Sequence, residues 1–238
     1  VLSVNSVAGY YGLRSGGDKI IGSILLRWFF RKPTMINDAA PKLSVDEVAN
    51  TLTHGFGLVL STAGLILLIV LARAYGDRWY MFSAALYGAS LMILYAASTM
   101  YHSATDPKRK KALQIADHCG IYFLIAGSYT PFTLIVLRNS VGPRLFIFIW
   151  TFAFVGIVTK LLFRTRFPAI SVISFLVMGW IGILAVKPLF AALGMVPVVL
   201  VIAGGVAFSV GVIFFGWTSL RHHHAIWHVF VLLGTLCH

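Results

Sequence analysis

Residues Leu52–Ala72 read LTHGFGLVLSTAGLILLIVLA, a run of 21 residues with no acidic, lysine or arginine side chain. A bilayer core of about 30 Å takes about 20 residues of helix, so this stretch is the length of one crossing. Five more follow at Trp79–Tyr101, Ile115–Leu137, Leu145–Phe163, Phe167–Val186 and Val196–Trp217. A seventh begins near His224 and is still apolar at His238. Continuous apolar runs of this length exclude a transmembrane β-barrel, whose strands alternate over roughly ten residues. The expected fold is an all-α integral membrane bundle of seven transmembrane helices. From His224 to His238 the chain reaches only about 22 Å as helix, so the seventh helix is expected to be truncated.

Composition agrees. Of 238 residues, 59% are hydrophobic and 11% charged, against about 25% charged in soluble domains. Mean hydropathy is +0.88. With 14% aromatics, no Gly-X-Y period and only Cys119 and Cys237, disordered, collagen-like and disulfide-framework classes are excluded. Neither cysteine has a redox or metal partner at short spacing, and both read as small buried hydrophobes. The short polar gaps leave room for one membrane domain, residues 42–238. Residues 1–41 form a basic arm whose apolar stretch Ile20–Phe30 is interrupted by Arg27. The arm is expected to be flexible or surface-lying, and Met35 raises the alternative of an over-long gene start.

The net charge of +12 does not point to nucleic acid, because the basic residues lie in the gaps between spans rather than on a soluble face. One side collects Arg14, Lys19, Arg27, Arg31, Lys32, Lys42, Lys108, Arg109, Lys110, Lys111, Lys160, Arg164, Arg166 and Arg221. The other has Arg73, Arg78, Arg138, Arg144 and Lys187. By the positive-inside rule the N-terminus is cytoplasmic, in a multi-pass protein of the cell membrane.

Ionisable residues at membrane depth are costly and mark function. Glu47, Asn50 and His54 share one helix face at the start of the first span. Ser98 and His102 lie one turn apart at the end of the second, Asp117 begins the third, and His224 and His228 lie one turn apart at the start of the seventh. Topology puts all four places at the cytoplasmic end. Two histidines at i, i+4, joined by a third from another helix, make the ligand set of a catalytic-type zinc site with an open position for water. On this reading the expected metal ligands are His102, His224 and His228, the expected ion is Zn²⁺, and Asp117 is placed to hold and deprotonate the bound water.

Each has an ordinary alternative. His224 and His228 suit interfacial hydrogen bonds to headgroups, the role assigned to His222 and His223. His102 suits an N–H donor to a carbonyl, Asp117 a carboxylate complementing a helix N-terminus, and Ser98 a bond back to its own helix. Glu47, Asn50 and His54 read first as a polar turn that caps and anchors the helix, with a supporting place at the site second. Gly179, Gly182, Gly204, Gly205, Gly211 and Gly216 are expected at close helix contacts. Tyr129-Thr130-Pro131 is expected to kink the third helix. Trp79, Trp150, Trp180, Trp217 and Trp227 are expected to include interface anchors.

Five segments carry a family likeness: Glu47–Gly55 (EVANTLTHG), Ala97–Ser103 (ASTMYHS), Ala116–Tyr122 (ADHCGIY), Ile125–Phe132 (IAGSYTPF) and His224–His228 (HAIWH). In this order they resemble the bacterial hemolysin III branch of the progestin and adipoQ receptor superfamily, related in turn to alkaline ceramidases. The likeness spans residues 45–238. It implies seven helices with zinc at the cytoplasmic end, carried here by His102, His224 and His228, with Asp117 and Ser98 holding water beside it. The arm before residue 45 and the short seventh helix depart from the family pattern.

Three functions are expected in order: a zinc-dependent hydrolase of a ceramide-like lipid amide, a sensor or receptor-like protein in which zinc is structural, and a pore-forming cytolysin. Membrane lipids are the partners in each.

Overall fold

The computed structural model describes residues 43–164 and 166–238; the arm expected over residues 1–41 lies outside them. Helix α1, Val45–Tyr75, starts where Ser44 accepts a hydrogen bond from the Glu47 N–H at 3.2 Å, with Asp46 and Glu47 in the first turn. Both features favour a helix N-terminus. Its exposed stripe is apolar (Leu52, Phe56, Val59, Ile66, Val70), whereas its buried stripe is Asn50, His54, Gly57 and Ser61. A water-soluble helix would show the opposite arrangement. Greasy outside and polar inside is what a lipid solvent selects.

Helix α2, Arg78–Ser103, is capped by Asp77, which accepts from Trp79 N–H at 2.7 Å and also receives the guanidinium of Arg138 at 2.8 Å. Helix α3, Pro107–Pro131, begins eight residues before the expected Ile115. Apolar length set that expectation, but Asp106 accepts from Arg109 N–H at 2.7 Å and Pro107 takes the first-turn position, a strong start signal irrespective of polarity. The basic run Lys108–Lys111 is therefore helical.

Pro131 ends the α-helical hydrogen bonding, and Phe132–Val136 continues as one π-helical segment. Thr133 Oγ1 donates to Tyr129 O (2.9 Å) and Thr130 O (3.1 Å), satisfying carbonyls around the proline. The expected kink thus takes the form of a widened turn. Helix α4 spans Gly142–Phe163.

The fifth crossing is neither continuous nor confined to Phe167–Val186. It comprises α5 (Pro168–Trp180), a 3₁₀ segment (Ile181–Ala185) and α6 (Val186–Leu193). Unpaired backbone groups are not tolerated at membrane depth, and Tyr129 from α3 meets them. Its hydroxyl donates towards Gly179 O (2.7 Å) and Met178 O (3.0 Å), and accepts from Gly182 N–H at 2.7 Å. Helices α7 (Met195–Gly216) and α8 (His223–Cys237) complete the chain. Six crossings, counting α5 through α6 as one, are long and apolar enough to span a bilayer, and α8 is a shorter apolar helix.

Each helix packs on its chain neighbour and α8 returns to α1. The elements close around a cavity of about 1730 Å³. Successive crossings alternate in direction, so α1, α3, α5 and α8 begin, and α2, α4 and α7 end, at one end of the bundle. The central contact is tight at Gly57, where a Cβ would come within 2.7 Å of Tyr95 and 2.8 Å of Leu232. Among the glycines expected at close contacts, Gly211 lies against Trp227 and Phe230, and Gly182 against Tyr129. Gly179, by contrast, faces open space. The tryptophan expectation also divides. Trp150 donates inward to Thr130 Oγ1 (3.2 Å) and Trp180 to Ser209 Oγ (3.0 Å), because an indole N–H inside a bundle must find an acceptor. Trp217 is exposed at a helix end.

Candidate metal centre

The residues from α1, α2, α3 and α8 meet at one end of the cavity. One ring nitrogen each from His102, His224 and His228 lies within 4.8 Å of the others, with His102 and His228 buried. The ring centroid of His228 is 4.6 Å from that of His224 and 5.0 Å from that of His102. The one-turn spacing on α8 puts His224 and His228 on a common face, and antiparallel α2 supplies the third ring.

What surrounds the His102 ring sets its tautomer. His102 Nδ1 lies 2.5 Å from Glu47 Oε2. A carboxylate only accepts, so Nδ1 carries the proton and donates. Asn50 Nδ2, at 3.4 Å from the same nitrogen, is then a neighbour and not a donor to it. The opposite nitrogen, His102 Nε2, is buried with no hydrogen-bond partner. A buried imidazole nitrogen bearing a free lone pair, backed by a carboxylate on the far side, is the arrangement of a histidine prepared for a metal. Thr53 Oγ1 holds His228 Nδ1 at 3.0 Å in the same way. His54 stacks on His228 with centroids 3.5 Å apart and planes 15° apart, and takes an edge contact from Tyr95. Both its nitrogens are buried and unpartnered.

Asp117 is buried near His102, and its carboxylate neighbours the Ser98 hydroxyl. That contact falls short of good hydrogen-bonding geometry, and Ser98 Oγ has no partner, including within its own helix. The structure therefore brings together every residue singled out in the sequence: the three histidines, Asp117, Ser98, Glu47, Asn50 and His54. Glu47 does more than cap: Ser44 binds its amide while its side chain links His102 to Lys110 Nζ, 2.8 Å away. His222 and His223 each lie against a group of the protein itself. His222 Nδ1 lies 2.5 Å from Asp46 Oδ1, and His223 Nδ1 lies 3.2 Å from Phe214 O, because the left-handed backbone at His222 turns the chain back towards α1.

Sequence reasoning missed Thr53 and Lys110. Thr53 stands in the quoted first segment beside His54, and nothing in its spacing distinguishes it from Thr51, which bonds to its own helix. Lys110 was read only as one charge of a topology signal, and the helical start at Pro107 is what turns it towards Glu47.

Fold and site together define a helical membrane protein with a histidine cluster buried at one end of an internal cavity. The chain belongs to the hemolysin III family: the family model described as haemolysin-III related matches residues 44–238. A hemolysin-3 homolog of Bacillus subtilis is 46% identical over 190 residues, covering 80% of this chain and 89% of the relative. Hemolysin-3 of Bacillus cereus is also 46% identical over 190 residues, covering 80% and 87%. The human monocyte to macrophage differentiation factor is 29% identical over 201 residues, covering 81% of each chain.

Proposed function

We propose that this protein is a zinc-dependent hydrolase of a ceramide-like lipid amide, set in the cell membrane with its histidine end on the cytoplasmic side. The observation that carries this reading is the placement of three converging histidines and the buried Asp117 on the wall of a large, mostly apolar cavity, with Ser98 beside Asp117. A lipid chain fits such a cavity while its carbonyl stands at the polar end.

His102, His224 and His228 would hold the metal, with Glu47 and Thr53 orienting two of the rings. A zinc ion in such a site supplies a Lewis acid for the carbonyl and makes water more acidic. Asp117 acts as general base: a carboxylate oxygen takes a proton from water as its oxygen bonds to the amide carbon. The proton then passes to the leaving nitrogen as the C–N bond breaks. The Ser98 hydroxyl, having no competing partner, donates to the developing oxyanion.

A second reading has its own observation. The histidines come from α2 and α8 and their supports from α1, so a metal would tie three helices together as a structural element in a sensor. The pore suggested by the names of the bacterial relatives has less support. A pore needs polar lining through the membrane depth, whereas away from the histidine end the cavity wall includes Leu124, Phe132, Leu189 and Val198.

The test combines metal analysis with turnover. Purified wild type is expected to carry about one zinc per chain and to cleave ceramide in a chelator-sensitive way. His228→Ala loses both. Asp117→Asn keeps the metal and loses roughly 10²–10⁴-fold in rate. Zinc without turnover on any lipid amide moves the assignment to the structural reading, and absence of zinc overturns both.

A further inference from the structure

Lys160 is a buried cation near the end of α4, and it lines the same cavity as the histidines. Its ammonium donates to Ser171 Oγ of α5 at 2.7 Å. That is the one hydrogen bond it makes among the described residues, although an ammonium has three donors. It also stands within electrostatic reach of His118, whose Nδ1 is buried without a partner. Buried charge is normally paired with an anion.

The described residues do not supply it. No acidic residue follows Asp117 in the sequence, so α4 through α8 contain no carboxylate side chain. Four of the five described acidic residues are engaged elsewhere, Asp46 with His222, Glu47 with His102 and Lys110, Asp77 with Arg138 and Asp106 with its own helix start, and the fifth, Asp117, neighbours Ser98. No carboxylate oxygen among the described residues lies within 4.0 Å of the Lys160 nitrogen. Arg166 also lines the cavity. The walls further in are apolar, including Ile125, Phe175 and Leu176.

We propose that Lys160 is an anion-binding subsite for the cavity's ligand, which is an amphiphile: its chain lies along the apolar wall, and its carboxylate or phosphate oxyanion is held by Lys160 with Ser171 and His118 beside it. This rests on, and narrows, the lipid hydrolase reading by making the substrate or its released product an anionic lipid.

Binding, not turnover, tests it. Purified protein in uncharged detergent is titrated with palmitate, hexadecyl phosphate, hexadecanol and inorganic phosphate, following the thermal unfolding midpoint, with zinc content measured on the same samples. Both anionic amphiphiles are expected to bind about tenfold or more tightly than hexadecanol, the scale of one charge-assisted hydrogen bond. Lys160→Met abolishes that preference at unchanged zinc content. Lys160→Arg retains it, as does Arg221→Gln, which removes an exposed cation at the same end. If Lys160→Met fails to fold, the wild-type ratio and the arginine variant carry the test. Equal binding of palmitate, hexadecyl phosphate and hexadecanol by wild type overturns the proposal. A preference that survives Lys160→Met overturns it too, since another cation then takes the anion. Inorganic phosphate binding as tightly as hexadecyl phosphate overturns the amphiphile assignment. Wild type without zinc that still prefers the anionic amphiphiles removes the hydrolase reading and leaves the subsite standing.

Discussion

Glu47 stands between two donors, the His102 N–H at 2.5 Å and the Lys110 ammonium at 2.8 Å. The pairing makes the carboxylate a support for the ring and not a ligand in its own right. Carboxylates behind metal-binding histidines fix tautomer and orientation, and removing one typically costs 10–100-fold in metal affinity. Glu47→Gln is therefore expected to weaken zinc binding by about that factor in competition with a chelator, with the fold retained because Ser44 still caps α1. Glu47→Asp, one methylene shorter, is expected to fall between the two. Unchanged affinity in Glu47→Gln would show that the carboxylate serves only as a partner for Lys110. At this scale the sequence was informative wherever cost made a residue conspicuous: histidines and carboxylates at membrane depth have few reasons to be there. It was silent on Thr53 and Lys160, because a threonine within a helix and a lysine near a helix end are ordinary until their neighbours are known.

The elements show why hydropathy reads the middle of a span better than its ends. Apolar length located every crossing, but helix boundaries follow backbone hydrogen bonding, and Asp106-Pro107 opens α3 well outside the apolar run. The fifth crossing failed differently. Nothing in the apolar stretch from Phe167 requires a 3₁₀ segment, and the group that stabilises it, Tyr129, comes from α3, some fifty positions earlier. Its hydroxyl meets Gly179 O and Gly182 N–H at 2.7 Å each. Tyr129→Phe leaves those backbone groups unpaired while keeping the ring, so the expected loss is about 1–3 kcal/mol, read as a lower unfolding midpoint. Trp180 reports the same event locally, since its indole is tied to Ser209 at 3.0 Å and its fluorescence is expected to change with the loosened segment. A variant with wild-type stability would mean that a straightened helix replaces the 3₁₀ segment at no cost.

Over the whole molecule, the alternation of helix direction carries the polar segments of the sequence to one end, although Glu47 and His228 are far apart in the chain. Counting crossings was sufficient to predict that meeting, because direction alternates whatever the packing angles. Counting was not sufficient for the cavity, nor for the placing of charges along its wall. Orientation in the membrane is the remaining property that charge assigns. The described basic residues at the histidine end include Lys108, Arg109, Lys110, Lys111, Lys160, Arg166 and Arg221, against Arg73, Arg78, Arg138, Arg144 and Lys187 at the other. Positive residues flanking spans are retained in the cytoplasm, and the same asymmetry would place a lipid-cleaving centre at the inner leaflet. Exposed Lys108 and Ser140 mark the two ends. In a background with Cys119 and Cys237 replaced, a membrane-impermeant maleimide applied to intact cells is expected to label Ser140→Cys and to spare Lys108→Cys until the cells are opened. The reverse pattern would put the histidines outside. A substrate would then have to come from the outer leaflet, and Lys160 would face anions from that side of the membrane.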